Sequence, residues 1–487
     1  MKNMTISKIL IIGLVCLLIG GILPYLFLNL SGKLIILFGA LLVILGLLLI
    51  KKGKITIYDW LILFFLSIPF HDYRIMFGSF FLRLTEVCFI PLLVWGVIQM
   101  TRQEADRRNL FKLNAEYIIL LFFSAFTAMS VLLSADPFVG TYRTIILAYL
   151  VILSFIISKV LKEEDKIYLI VKALIAVSAG ASIFAILQAF LPAFQPFYPI
   201  PLIQLGSVTL YRSGVGWQNP NYFALYLSMI LPITYVCKIY KLFPEKKFIQ
   251  TCFVLQTCGI FCTYSRLGFI SLGLTFLFLL WVRGKKTLVL IMVIVIAVLS
   301  VLTFTSMAYI YEHNPYLAVT IFRIPNPGLV LKNPLLIAGW RRDAWVANAR
   351  MFLDHPFIGI GPFMSTAMYE QYRPTDQVYP WKSGLAVHSE YLSLLSERGI
   401  IGTALFFLFL LFLMTRANLY YQQNKSAVSG KLMLGLWASI VNFIWFSFGG
   451  ATIYSVEFWI NVGLILAVYN LGKAKRIEEN QLNQLDK

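Results

Sequence analysis

The chain has 487 residues, of which 59% are apolar and only 13% are charged, and its formal net charge at pH 7 is +19. So few charged side chains exclude an ordinary soluble protein and predict a polytopic membrane protein. The excess of basic residues is then expected to interact with the anionic headgroups of the lipid bilayer, and nucleic acid is not a predicted partner.

About fourteen apolar stretches follow one another, each near the roughly 20 residues that a membrane-spanning helix needs. The first is interpreted as a retained helix, because no small-residue cleavage pattern precedes the next stretch. The predicted fold class is all-α, a polytopic transmembrane helical bundle of about 12–14 spans with a large extracytoplasmic loop that contains short helices. The stretches lie near 8–29, 34–50, 58–70, 83–100, 115–134, 144–160, 167–190, 221–238, 248–263, 267–282, 288–310, 399–415, 431–448 and 453–470.

The basic residues differ between the two predicted faces of the membrane. With the first residues placed in the cytoplasm, Lys-rich connections such as 51–54 and 241–247 fall on the cytoplasmic side, as the positive-inside rule expects. An even number of spans brings the C-terminus back to that side. The other face carries mostly Arg, with Lys33, Lys332 and Lys382 as its only lysines. Planar guanidinium groups suit bidentate recognition of phosphate or carboxylate.

Four segments are predicted from this topology. Residues 1–190 form N-terminal transmembrane helices, and 191–310 add helices with an Arg-bearing outer loop. Residues 311–398 form the large extracytoplasmic loop with a candidate catalytic helix, and 399–487 form the C-terminal helices and a cytoplasmic tail. Neither the cysteines nor the histidines show the spacing of metal ligands, so no metal and no cofactor is predicted.

The first polar motif lies in the outer loop near 191–220, where Arg212 precedes Gly214, Gly216 and the turn Asn219-Pro220-Asn221. The glycines are expected to let the backbone approach a ligand, and Asn221 is expected to cap the next helix. An arginine beside glycine amides at a helix start indicates an anion site. The alternative is a loop arginine that reaches lipid headgroups.

A second motif, Ser265 and Arg266, interrupts two apolar stretches with a very short turn. An arginine so close to the hydrocarbon boundary is energetically costly and therefore indicates function. A plain hairpin turn, with an arginine that extends to the headgroups, is the alternative.

A third segment, from Trp340 to Asp354, is predicted to be an amphipathic helix on the membrane or beneath the loop. Arg342 and Asp343 belong to its predicted polar side. The predicted apolar side consists of Trp345, Val346, Ala349, Phe352 and Leu353.

The fourth motif starts at His388, which is predicted to lie on the first turn of a helix on the same face as Tyr391. Glu390 and Glu397 are predicted to face elsewhere, and Gly399 to end or kink the helix. A helix N-terminus disfavours a cation, so a neutral imidazole that serves as a general base is expected. An ordinary interfacial histidine is the alternative.

In this order the motifs resemble those of the O-antigen ligase and polymerase family, integral-membrane glycosyltransferases that use polyprenyl-diphosphate-linked glycans. The resemblance covers roughly 205–405 and departs from the family pattern at Ser389, where Asn is common. Arg341 and Arg342 are adjacent, and the spacing to Trp345 favours Arg341. The residues that carry the resemblance are Arg212, Gly216, Asn219, Pro220, Asn221, Thr263, Ser265, Arg266, Arg341, Trp345, Asp354, Pro356, Gly359, Gly361, His388, Ser389, Leu392, Glu397, Gly399 and Gly402.

The resemblance implies a GT-C-like bundle that transfers glycan from undecaprenyl diphosphate to a glycan or lipid-linked acceptor, at the outer face of the bacterial cytoplasmic membrane. His388 would be the catalytic base, and Arg212, Arg266 and Arg341 would bind the diphosphate. No metal is implied, because diphosphate is a good leaving group. The residues expected to support this site are Asn219, Asn221, Ser265, Glu390, Tyr391 and Glu397.

A surface-polysaccharide polymerase is favoured over a ligase that uses lipid A core or a protein as acceptor, although the shared motifs do not separate them. A lipid-linked oligosaccharide flippase is the alternative from another class of protein. Transporters often show repeated halves and midplane charges, whereas this sequence shows no repeat and gathers its arginines on one face.

Overall fold

The computed structural model describes most of the chain beyond its first predicted spans, 8–29 and 34–50, which lie outside the described residues. The described ranges are 56–72, 74–77, 80–102, 113–191, 200–205, 208–314, 328, 341–375 and 384–485.

Helices dominate the described part, which confirms the predicted all-α class. In chain order they are α1 (Ile57–Ser67), α2 (Leu84–Arg102), α3 (Ala115–Ser130), α4 (Pro137–Val160), α5 (Glu164–Phe190), α6 (Pro220–Ile239), α7 (Lys246–Thr263), α8 (Arg266–Val282), α9 (Lys286–His313), α10 (Arg341–Asp354), α11 (Tyr369–Tyr372), α12 (Glu390–Gln423), α13 (Val428–Phe446) and α14 (Val456–Leu485). Short 3₁₀ turns extend α1 through Ile68–Phe70 and α3 through Val131–Leu133.

Each predicted span within the described residues coincides with one of these helices. By length and apolar composition, six helices of the described part qualify as membrane spans, and the chain is a multi-pass membrane protein. They are Ala115–Leu133, Pro137–Val160, Glu164–Phe190, Pro220–Ile239, Glu390–Gln423 and Val428–Phe446.

Two antiparallel β-hairpins interrupt the helices. The first pairs β1 (Arg74–Phe77) with β2 (Phe80–Arg83), and the second pairs β3 (Ile200–Leu205) with β4 (Val208–Arg212). The sequence interpretation of 191–220 as a loop was therefore incomplete. Proline lacks the N–H that a strand ladder needs and so masks the strand pattern, and the register of the second hairpin shifts at Pro201.

Helices α6 and α13 form the centre of the bundle. In their membrane-length windows 78% of α6 and 72% of α13 is buried, and the two helices pack against each other. Gly435 of α13 lies against Ile233 and Val236 of α6, which allows a close approach of the two helices. Around this pair, α4 packs against α14, and α7 packs against α5 and α6. Close packing of this kind drives helix association in lipid.

Asn442 of α13 connects two neighbouring helices through its side-chain amide. Its Oδ1 accepts a hydrogen bond from Ser228 Oγ of α6 at 2.8 Å, and its Nδ2 donates to Ser271 Oγ (3.4 Å) and Thr275 Oγ1 (3.3 Å) of α8. Such bonds between membrane helices contribute on average about 0.6 kcal/mol each. They help to fix α6 and α8, whose first turns lie beside Arg212 and Arg266.

Connections between the helices gather at two ends of the bundle. At one end Asp72 N donates to Gly216 O (3.1 Å), so the segments beside the two hairpins meet there. We call this the hairpin end, and it also holds α10 and the start of α12. The other end holds the starts of α3 and α7 and the last turns of α12 and α14, and we call it the tail end.

Candidate active site

The turn between α7 and α8 carries the second sequence motif. Tyr264 adopts a left-handed backbone conformation, with φ at 48°, and ends α7. The buried Ser265 caps α8, since its side chain accepts a hydrogen bond from Gly268 N at 3.2 Å. Arg266 is therefore the first residue of α8, and it is exposed at the hairpin end.

Arg212, the last residue of β4, is tied to that same turn. Its Nε donates to Thr263 O at 3.0 Å, and its Nη2 donates to Asn221 Oδ1 at 3.1 Å. The next residue reinforces this link, because Ser213 N donates to Cys262 O at 2.9 Å. Two motif arginines that are more than fifty positions apart are thus held by one short turn.

The expectation that Asn221 caps α6 was wrong. Asn219 is the N-cap, and its Oδ1 accepts a hydrogen bond from Asn221 N at 3.0 Å. Pro220 occupies the first helical position, where its missing N–H costs nothing, so the cap lies one residue earlier. The Asn221 side chain is left to accept from Arg212.

The two glycines after Arg212 do not face a ligand, as had been expected, but pack against the chain itself. A Cβ on Gly216 would lie 2.2 Å from Pro69 O, so only glycine fits there. Between the glycines, Val215 has φ at 54° and exchanges two hydrogen bonds with the Gln188 side chain of α5. The loop after Arg212 is thus held in one conformation.

Arg341, Arg266 and His388 form an electrostatically coupled group. Burial lowers the pKa of Arg341, and the charge of Arg266 lowers it further. Burial also lowers the pKa of His388 to about 4, with a further contribution from the charge of Arg341. Arg341 therefore interacts with both other residues, and the imidazole is neutral at neutral pH. The expected neutrality holds, but its causes are burial and Arg341 instead of the helix dipole.

His388 does not lie on the helix, contrary to the prediction. Helix α12 begins at Glu390 with Ser389 as N-cap, and His388 has φ at 47°. A left-handed conformation costs about 1–3 kcal/mol and persists only where surrounding contacts fix it. Here Trp345 Nε1 of α10 donates to Val387 O at 3.0 Å, on the residue just before the histidine.

Glu390 and Tyr391 anchor this segment to the C-terminal helices. The Glu390 carboxylate accepts hydrogen bonds from Thr452 N and Ile453 N, and the Tyr391 hydroxyl donates to Ile444 O at 2.6 Å. Both side chains are thus occupied by backbone groups at the end of α13 and the turn before α14. The supporting role of these two residues stays a prediction.

The side of helix α10 that is buried in the protein is not the side that was predicted. Asp343 is fully buried and pairs with Arg342 at 3.2 Å, whereas Leu353 is 72% exposed. Asn348 Oδ1 accepts a hydrogen bond from Ser396 Oγ of α12 at 2.7 Å. The buried side consists of Asp343, Ala344, Ala347, Asn348 and Met351, while the predicted apolar side is half-buried at Trp345, Val346 and Phe352 and exposed at Ala349 and Leu353.

The predicted kink at Gly399 is confirmed. Gly399 has φ at 60°, and a Cβ there would lie 2.3 Å from Phe357 O, so the backbone of the preceding loop lies directly on the kink. The neighbouring Glu397 accepts from Ser365 Oγ at 2.8 Å and pairs with the fully buried Arg398 at 3.3 Å. Glu397 therefore binds the loop to α12.

Two further arginines, which the motifs do not include, lie at the hairpin end. The guanidinium carbon of Arg143 on α4 is 3.5 Å from the centre of the Phe363 ring, and Phe363 has φ at 64°. Arg83 Nη1 lies 2.8 Å from His71 Nε2. Arg143 and Arg83 interact electrostatically with each other, and Arg143 also with Glu397. The signal available in the sequence was an arginine at the start of an apolar stretch, Arg83 at 83–100 and Arg143 just before 144–160.

Backbone strain concentrates at this end. Among the described residues other than glycine, five have positive φ, and four of them lie at the hairpin end: Val215, Tyr264, Phe363 and His388. Such strain clusters at binding and catalytic sites in proteins. The hairpin end therefore combines strained backbone, several guanidinium groups and the neutral imidazole of His388, an arrangement that can bind an anion and accept a proton.

Comparison with protein families matches residues 251–407 to the family described as O-Antigen ligase. The matched segment contains Arg266, Arg341 and His388, while Arg212 precedes it. Comparison with curated proteins gave no match.

Proposed function

We propose that the chain, whose residues 251–407 match the O-antigen ligase family, is a membrane glycosyltransferase that joins glycan repeats carried on undecaprenyl diphosphate. The observation that carries the proposal is the turn before α8, which binds Arg212 and begins α8 with Arg266, while Arg341 Nη1 and the Leu267 side chain both lie against Gly449. In the proposed orientation the hairpin end lies at the outer face of the bacterial cytoplasmic membrane and both termini lie in the cytoplasm.

The proposed donor site is the group of arginines around the turn before α8. Arg212, Arg266 and Arg341 bind the diphosphate, because guanidinium groups form paired, charge-assisted hydrogen bonds with phosphate oxygens. When the bond between the anomeric carbon and the diphosphate oxygen breaks, its electron pair stays on that oxygen. The arginines stabilise this growing negative charge, which accelerates the reaction because the stabilisation is strongest in the transition state.

His388 is the proposed general base. The acceptor hydroxyl attacks the anomeric carbon, and the neutral imidazole takes its proton as the new carbon–oxygen bond forms. Burial and, as the smaller contribution, the charge of Arg341 lower the pKa of His388 to about 4. A bound diphosphate offsets that charge, so donor binding raises the pKa of the imidazole and makes it a stronger base.

The test is turnover of a polyprenyl-diphosphate-linked glycan by the purified full-length protein. His388→Ala is expected to lower the rate about 10²–10⁴-fold, the usual contribution of general base catalysis. His355→Ala is the matched control, since His355 is exposed at the end of α10, and it should keep the normal rate. A normal rate in His388→Ala, or loss of activity on addition of EDTA, would contradict the proposal.

A surface-polysaccharide polymerase is the favoured form of this activity, and product analysis separates it from the alternatives. Lengthening of the lipid-linked glycan identifies a polymerase, whereas transfer of finished glycan to lipid A core or to a protein identifies a ligase. A flippase would move the donor across vesicles without changing it. The Arg-rich hairpin end favours chemistry on one face over transport.

A further inference from the structure

A cavity of about 570 Å³ lies at the tail end, between the second half of α12 and the second half of α14. It is remote from the candidate active site, which lies at the hairpin end. Its walls include apolar, aromatic and basic side chains. The lining residues that matter for its chemistry are Leu411, Phe412, Arg416, Tyr469, Lys473 and Arg476.

The basic side of the cavity carries positive charge that no acidic side chain of the described residues pairs with. Arg416 pairs with the buried carboxylate of Glu116 and lies 4.2 Å from the centre of the Tyr469 ring, so its charge is already compensated. Arg476 Nη1 donates to the neutral Gln423 Oε1 at 2.7 Å. Lys473 makes no hydrogen bond or ion pair with the residues that the structure describes. Lys473 and Arg476 thus leave two positive charges for a ligand.

The apolar side of the cavity opens onto the side of the bundle. Leu411 is 61% exposed and Phe412 is 40% exposed, and both lie about one helical turn from Arg416 towards the hairpin end. At about 1.5 Å per residue, Arg416 is about 25 Å along α12 from Gly399, close to the thickness of a hydrocarbon core. This spacing suits basic residues at headgroup depth and apolar residues at the depth of the acyl chains.

We propose that this cavity binds one anionic phospholipid, with its phosphate against Lys473 and Arg476 and an acyl chain along Leu411 and Phe412. Basic pockets between membrane helices are suited to anionic headgroups. A soluble phosphate would use only the basic side and leave the apolar wall uncovered, whereas a phospholipid covers both. This proposal does not depend on the glycosyltransferase assignment.

The test is a lipid titration of the purified full-length protein in neutral detergent, with bound lipid counted by native mass spectrometry. The probes are dioleoylphosphatidylglycerol, dioleoylphosphatidylcholine and inorganic phosphate. The double variant Lys473→Gln/Arg476→Gln is expected to bind phosphatidylglycerol about thirtyfold more weakly, given the usual contribution of a basic residue near a charged lipid. Its affinity for phosphatidylcholine should not change.

Lys285→Gln/Lys286→Gln is the matched control, because it removes two exposed basic residues at the tail end outside the cavity. It should bind phosphatidylglycerol as the unmodified protein does. Phe412→Trp adds volume to the apolar wall without changing charge and should also weaken binding. Equal loss in the two double variants, equal affinity for the two lipids, or displacement of the lipid by millimolar phosphate would overturn the proposal.

Discussion

The hairpin end and the tail end hold their positive charge in different ways. At the tail end, Lys172 pairs with Glu245, Lys475 with Glu164, and Arg416 with Glu116. At the hairpin end, Arg342 and Arg398 also pair with acids. Arg212 there donates instead to a carbonyl and an amide oxygen, and Arg143 lies against a phenylalanine ring.

The two ends also differ in residue type. In the described part of the chain, the lysines lie on segments of the tail end, while the permanently charged basic residues of the hairpin-end motifs are arginines. A lysine is a strongly hydrated point charge, whereas a guanidinium is planar and binds phosphate in a paired fashion. In the proposed function, charge at the tail end serves orientation and stability, and the motif arginines of the hairpin end bind the substrate.

The strongest test of this difference uses the two ends of one helix. Arg266 begins α8 at the hairpin end, and Arg283 follows its last turn at the tail end, where it contacts Tyr235 and Tyr240. Arg266→Ala is expected to lower turnover about 10²–10³-fold, as the loss of one transition-state donor does. Arg283→Ala should change it less than twofold. Similar rates in both variants would remove the functional distinction between the ends.

The second test compares two arginines that contact aromatic rings. Arg416→Gln leaves the carboxylate of Glu116 buried without its partner, so we expect a loss of stability of about 3–5 kcal/mol with a normal rate in the folded fraction. Arg143→Gln should instead lower turnover at least tenfold, with little change in thermal stability. Thermal unfolding and steady-state kinetics on the same preparations measure both. The comparison fails if Arg143→Gln unfolds the protein and Arg416→Gln inactivates it.

The third test compares two glycines with positive φ. A Cβ on Gly399 would meet the backbone of Phe357, whereas Gly284 at the tail end has open space around it. Gly284→Ala should cost about 1 kcal/mol, the penalty of a left-handed alanine alone. Gly399→Ala adds the steric conflict and should lower the melting temperature clearly further. Equal shifts in melting temperature would show that the kink is not held by the loop.

The smallest expected effect is a pH shift at the hairpin end. The acidic limb of kcat/KM reports His388 in the free protein, and that of kcat reports it in the donor complex. Because a bound diphosphate offsets Arg341, the limb of kcat should lie at higher pH than that of kcat/KM, by about one unit. In Arg341→Gln the pKa of His388 in the free protein should be higher, because the charge of Arg341 is gone. The acidic limbs of kcat/KM and kcat should therefore lie closer together. Tail-end variants such as Lys475→Gln should leave both limbs in place.

Much of the fold was predictable because membrane-spanning helices follow from the length of apolar stretches. The kink at Gly399 was predictable too, since glycine tolerates a left-handed conformation. Which side of α10 is buried was not predictable. In a soluble protein the apolar side of a helix is the buried side, but in a membrane protein the side with Leu353 is free to remain exposed while small residues pack inward.

The candidate site was only partly predictable for a related reason. Arg212 and Arg266 carried local signals, a turn and a polar interruption. The conformation of His388 depends on Trp345, and the environment of Arg143 depends on Phe363, both distant in sequence. Such partners leave no local pattern, so neither the departure of His388 from the helix nor the contact of Arg143 with Phe363 was visible in the sequence.

The anchoring of Glu390 and Tyr391 has a consequence for recombining this protein with its relatives. The segment that carries the family signature ends at 407, yet the backbone groups that hold these two side chains lie between 444 and 453. A chimera joined at 407 would take Glu390 and Tyr391 from one parent and the backbone groups that bind their side chains from the other. Because Trp345 of α10 holds Val387 on the other side of the histidine, an exchange has to keep α10 as well as residues 387–453 from one parent to preserve the geometry.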